Sequence, residues 1–141
     1  MCGTGVATLL GSAPAGAADG SQQITVTPTS GLENGQVVRV DGTDWPGPEY
    51  DFQAWFIAQC PSATFDFDRC GNAQPIPESE ITATGSFSQD YAVRRSFRNF
   101  DDDATIDCGR ECHVVAAMFV TSPSRPGHLE ASAPISFRAP K

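Results

Sequence analysis

The chain is poor in positive charge. Nine Lys and Arg stand against seventeen Asp and Glu, and the formal net charge is −8 over 141 residues. Phosphate backbones are held by basic side chains that displace counterions, so this sign argues against nucleic acid as a direct partner of the protein itself. Long apolar runs are also missing, and no segment is long enough to span a membrane as a helix. No membrane partner is therefore expected. There is no G-x-S-x-G turn, and the two histidines, His113 and His128, lack a supporting serine and carboxylate context. Without an activated nucleophile, no enzyme and no catalytic residue are expected. A convincing amphipathic helix is absent as well. Eleven prolines and thirteen glycines suit turns better than helices.

What is present begins with a small, apolar front. Residues 5–18 are mostly Gly, Ala and small apolar residues, and Ala15-Gly16-Ala17 fits an A-x-A cleavage site, although a positively charged start is lacking. Residues 1–20 read as a partial signal peptide or disordered leader, and the domain is expected over 22–139. Of the five cysteines, Cys2 falls in that leader, which leaves Cys60, Cys70, Cys108 and Cys112. In an exported domain an even set reads as disulfides, with three pairings open on arithmetic. Sequence-local pairing is topologically the simplest. A loop like the one between Cys60 and Cys70 would contribute about 2–3 kcal/mol in the chain-entropy picture.

Strand-like runs recur between Gly, Pro, Asn and Asp. They are expected at 24–28, 36–40, 50–60, 81–84, 87–97, 113–120 and 132–138, with a break at Trp45-Pro46-Gly47-Pro48. About seven short strands imply an all-β, antiparallel, immunoglobulin-like sandwich. Residues 114–120 are continuously apolar, as in a central strand covered on both faces. Alternation places Val114, Ala116 and Met118 toward the core and His113, Val115 and Ala117 on the opposite face. By the same parity Phe56, Ala58 and Cys60 share one side and Trp55 and Ile57 the other.

Several motifs occur in one order: VTPTSGL (26–32), NGQVVRVDG (34–42), IAQC (57–60), Cys70, VRRSF-x-x-F (93–100), TIDC (105–108) and PISF (134–137). In that order and with that cysteine spacing the chain resembles the neocarzinostatin family of apoproteins over residues 24–138. The resemblance implies a secreted, actinobacterial seven-stranded sandwich with local disulfides Cys60–Cys70 and Cys108–Cys112. It also implies a cleft that shields a non-covalently bound enediyne-type chromophore. Antibiotic activity then comes from DNA damage by the released chromophore, so any DNA-binding label is indirect.

In the family one cleft wall is the disulfide hairpin, which here reads CPSATFDFDRC (60–70), and the floor is the strand after the last cysteine. Carried onto this chain, the ligand-binding residues are Phe56, Ala58, Phe65, Phe67, Phe100, His113, Val115 and Ala117. Pro75, Ser62 and Asp102 stand where family members carry rings, and Val115 and Ala117 where they carry glycine and serine. Phe56, Phe65, Phe67 and Phe100 would then rebuild a different lining, with Asp66 and Asp68 facing water.

Three other groupings have simpler readings. Asp66, Asp68 and Asp101 to Asp103 match no calcium loop and read as a solvated rim. Cys108-x-x-x-Cys112-His113 could be drawn as a zinc site, but disulfide formation consumes the thiolates that zinc needs. Arg95 shares parity with Val93 and Phe97, so it is expected at a sheet end in an ion pair, or at a bulge. The chain is thus read as a monomeric carrier of a small hydrophobic or aromatic molecule. The competing class is a secreted or envelope-associated interaction module with a closed cleft and no chromophore, and Val115 and Ala117 separate the two.

Overall fold

The computed structural model describes residues 22–46, 52–101, 103–109, 111–120 and 127–139. The leader with Cys2, Gly47-Pro48, Asp102 and the side chain of His128 lie outside the described residues. The strands are β1 (Gln23–Thr27), β2 (Val37–Thr43), β3 (Phe52–Cys60), β4 (Gly71–Pro75), β5 (Phe87–Ala92), β6 (Ser96–Arg98), β7 (Thr105–Asp107), β8 (Glu111–Val120) and β9 (Gly127–Ser136). Two antiparallel sheets form the layers, one ordered β9-β8-β3-β4 and the other β1-β2-β5, and β6-β7 make a separate ribbon. The seven-stranded sandwich is therefore present, with the ribbon added to it.

Alternation explains the layers. In β1 only Ile24 and Val26 are buried, and in β2 Val38, Val40 and Gly42 are. These face Ile57, Val114, Ala116 and Met118 of the opposite sheet in one continuous core. Trp45, Trp55 and Phe87 close one end of it, with ring centroids 5.4–6.0 Å apart. Gly42 has no side chain because a Cβ there would lie 2.1 Å from the Phe87 ring.

Two expected strands need correction, and two observed strands were not expected. Residues 81–84 are not a strand: a 3-10 turn at Glu78–Glu80 leads to a buried Ile81, and then the chain turns. Gly85 N–H donates to the Thr82 carbonyl and Ser86 N–H to Thr82 Oγ1. Gly85 has φ +83°, which only glycine adopts without strain. The run 87–97 is broken at Val93–Arg95, where Asn34 Oδ1 accepts from Arg95 N–H. Strands β4 and β7 escape the sequence pattern. GNAQP is an edge strand of small and polar residues where proline is tolerated, and TID is only three residues long.

Arg95 also departs from the expected ion pair. It sits at the break, where its guanidinium lies 5.2 Å from the Phe137 ring centroid. It donates to the carbonyls of Gly109 and Arg138. Among the described residues, those two carbonyls and the ring face are the partners of the guanidinium. Arg138 takes the ion pair instead, with Glu33.

Candidate functional site

The outer face of the four-stranded sheet is where the sequence places the ligand residues. Parity holds: Val115 and Ala117 leave the inter-sheet core and join a second cluster with Ala58, Cys60, Phe65 and Cys70. Register sets three rows across the sheet. Glu130, Ala117 and Phe56 form one, Ser132, Val115 and Ala58 the next, and Pro134, His113 and Cys60 the third. Strand spacing of about 4.8 Å puts each row within reach of one small molecule.

The hairpin between Cys60 and Cys70 arches over these rows. Both local disulfides are formed, Cys60–Cys70 with Cα atoms 4.4 Å apart and Cys108–Cys112 with 5.2 Å. The second bond consumes the thiolates that the zinc drawing required. Asp66 turns the hairpin: its carbonyl accepts from the N–H groups of Arg69 and Cys70, and its Oδ1 from Asp68 N–H at 3.2 Å. The turn is tied to the β6 end, because Asn99 Nδ2 donates to the Asp68 carbonyl and Phe100 N–H to the Cys70 carbonyl. A bridge between Gly71 and Asn99 completes the seam, and a Cβ on Gly71 would strike the Arg98 carbonyl oxygen at 1.9 Å.

That seam gathers five phenylalanines. Phe65 lies 5.3 Å from Phe56, 4.9 Å from Phe67, 5.6 Å from Phe100 and 5.8 Å from Phe119. Edge-to-face geometry dominates around Phe65, the arrangement favoured by the ring quadrupole. Phe65 is buried, Phe56 and Phe119 are half-buried, and Phe67 and Phe100 remain 43% and 38% exposed. The rings therefore occupy the space above Val115 and Ala117, which have no exposed surface. The aspartates of the hairpin, Asp66 and Asp68, lie on its turn and face water. Asp66 is held below the usual carboxylate range, chiefly by a side-chain hydrogen bond with Asp68, and the same bond raises Asp68.

His113 is half-buried at the far end of the face. With Thr29, Ser30, Cys112, Pro134, Ile135 and Ser136 it borders a separate cavity of about 320 Å³. The structure thus groups Phe56, Ala58, Phe65, Phe67, Phe100, Val115 and Ala117 around one centre and sets His113 beside it.

Sequence reasoning missed three members of this face. Phe119 shares the parity of His113, Val115 and Ala117, so continuing the same count by one step finds it. Glu130 and Ser132 belong to the front of β9, which begins at Gly127 and not at residue 132. Both are buried, at 5% and 1% exposure. The Glu130 carboxylate accepts from Phe65 N–H, at 3.2 Å to Oε1 and 3.4 Å to Oε2. Gln59 is likewise buried, on the opposite face, where Oε1 accepts from Arg94 N–H and Nε2 donates to the Arg94 carbonyl.

A family model, that of the Neocarzinostatin family, matches residues 24–137, most of the chain. The chain belongs to the neocarzinostatin family. Among solved structures, macromomycin superposes with a TM-score of 0.55 at 23% identity, covering 84% of this chain and all of the macromomycin chain. That likeness bears on the fold alone. In this member of the neocarzinostatin family the stapled hairpin lies over the outer sheet face, and the chain's own phenyl rings pack there.

Proposed function

We propose that this protein is an exported carrier, not an enzyme, that binds a small hydrophobic or aromatic molecule between the Cys60–Cys70 hairpin and the outer sheet face. The single observation that carries this reading is the cluster of five phenyl rings gathered where the disulfide-tied hairpin, with Phe65 and Phe67, meets the outer sheet face. Phenyl faces suit an aromatic guest, since each ring contact adds about 0.5–1.5 kcal/mol beyond burial. Membership of the neocarzinostatin family supports an enediyne-type chromophore as the guest, shielded here and released to damage DNA as an antibiotic. The protein's own net charge of −8 gives it no means of gripping a phosphate backbone. Two disulfides fit an oxidising, extracellular location, and a monomer suffices for the site.

The filled floor favours a second reading. Val115 and Ala117 are covered by the chain's own rings. On that reading the face is closed and the surface serves a protein or envelope partner. Titration with an aromatic enediyne analogue separates the two, read by thermal shift and by methyl NMR of Ala58, Val115 and Ala117. The carrier reading expects saturable shifts at those methyls with a rise in melting temperature. Unmoved methyls and an unchanged melting temperature at saturating analogue overturn it in favour of the closed module.

A further inference from the structure

We infer that the cavity at the far end of the outer face is a second small-molecule site, built for one neutral sugar ring. None of the five clustered phenylalanines lines it, so the inference does not rest on the carrier reading. Its space is about 320 Å³, at the lower end for pockets that hold small molecules. That suits a single pyranose and not an oligosaccharide. Two segments build it. The end of β9 brings Pro134, Ile135 and Ser136, and the loop after β1 supplies Thr29 and Ser30. Backbone bonds tie the two together: Ser136 N–H donates to the Thr29 carbonyl at 2.8 Å, and Leu32 N–H to the Ser136 carbonyl at 3.2 Å. Cys112 and Ile135, paired in register and 0% and 2% exposed, form the apolar side. His113 and Pro134, the next pair, form the wall on the outer face.

The hydroxyls of Thr29, Ser30 and Ser136 border this space, and among the described residues none of the three has a hydrogen-bond partner. Each hydroxyl donates one hydrogen bond and accepts up to two, so together they present donors and acceptors side by side. No Lys, Arg, Asp or Glu is among the described lining residues. An anion therefore meets no positive charge there and is repelled by the overall charge of −8. A cation meets no carboxylate. A purely apolar guest would strip water from the hydroxyls and return no bond, which is a net cost. A pyranose matches both sides of the cavity. Its hydroxyls pair with those of the loop and β9, and its C–H face lies against proline, isoleucine and the disulfide. Such bonds replace bonds to water, so the expected Kd is on the order of 1–10 mM.

The test is an amide NMR titration of the full chain with the methyl glycosides of glucose, galactose, mannose and N-acetylglucosamine. At least one is expected to shift the amides of Ser30, His113 and Ser136 saturably. Tetrahydropyran, the same ring without hydroxyls, and sulfate should leave those amides in place. Ser30→Ala and Ser136→Ala should each weaken the glycoside about threefold to tenfold, the loss of one neutral hydrogen bond. Thr43→Val removes a hydroxyl from the other sheet and should change the affinity by less than about twofold. Ser30 is exposed, so Ser30→Ala decides even if Ser136→Ala does not fold. Three results overturn the inference: amides unmoved by all four glycosides at about 100 mM, an equal response to tetrahydropyran or sulfate, or an affinity kept in every folded variant of Ser30 and Ser136. None of them touches the carrier reading, which is decided at the methyls of Ala58, Val115 and Ala117.

Discussion

Replacing Phe65 with alanine removes the ring at the centre of the second cluster. Phe65 is 6% exposed and has four ring neighbours within 5.8 Å. Truncating a buried phenylalanine costs about 3–5 kcal/mol, from lost transfer energy and the cavity left behind. Two of the neighbours, Phe67 and Phe100, are 43% and 38% exposed, so they are free to slump into the gap. That places Phe65→Ala at the lower end, about 3 kcal/mol. For a domain of this size the melting temperature should fall by roughly 10 °C. In urea, with a slope of about 2 kcal/mol/M, the midpoint should drop by about 1.5 M at unchanged slope. The vacated space is apolar, and such cavities take up small aromatic compounds. Adding benzene or toluene should therefore recover part of the lost melting temperature in the variant and none in the parent. A loss under about 1 kcal/mol would show that the rings do not pack as described, and the account of a filled floor would be withdrawn.

Three further changes probe the frame around the site. Gln59→Leu strands the Arg94 N–H and carbonyl and the Asn72 amide that now bond to Gln59, and should cost about 3 kcal/mol by chemical denaturation; a loss near zero would mean water reaches this spot. Gly85→Ala combines φ +83° with a Cβ 1.6 Å from the Trp45 carbonyl oxygen, so it should destabilise by about 3 kcal/mol or more or prevent folding, read by circular dichroism and melting. Tyr91 donates to the Asn72 carbonyl, and burial pushes its phenol pKa up. A raised folded pKa favours the protonated form, so the contribution is complete below the unfolded value of about 10 and is lost as pH climbs above it. Melting temperature should fall above about pH 10, and Tyr91→Phe should flatten that fall at a neutral-pH loss of about 1 kcal/mol; an identical alkaline fall in the variant refutes the assignment.

The faces of β3 and β8 were legible residue by residue, because side chains in a strand alternate wherever the strand lies. Parity alone put Val114, Ala116 and Met118 in the core and Val115 and Ala117 outside it, and the structure agrees. Strands β4 and β7 were not legible. GNAQP carries no apolar alternation because its residues are small or polar and only Gly71 is buried, and its Asn72 holds a left-handed φ of +54° where β3 is irregular. The front of β9 was missed for a related reason. Glu130 looks like a solvent residue in sequence, and only the hairpin folded across it makes it a buried acceptor.

By itself the sequence determined the all-β class and which residues of the central strands share a face, since those follow from short-range rules of backbone alternation and turn chemistry. The ordered motifs carried the resemblance to the family, and that resemblance implied the local cysteine pairs. Tertiary structure alone decided that five rings from β3, the hairpin, the end of β6 and β8 meet above Val115 and Ala117, that Glu130 holds the hairpin, and that Arg95 donates to the Gly109 and Arg138 carbonyls. Such contacts depend on how distant segments are brought together by register and a disulfide, and no local pattern records that distance.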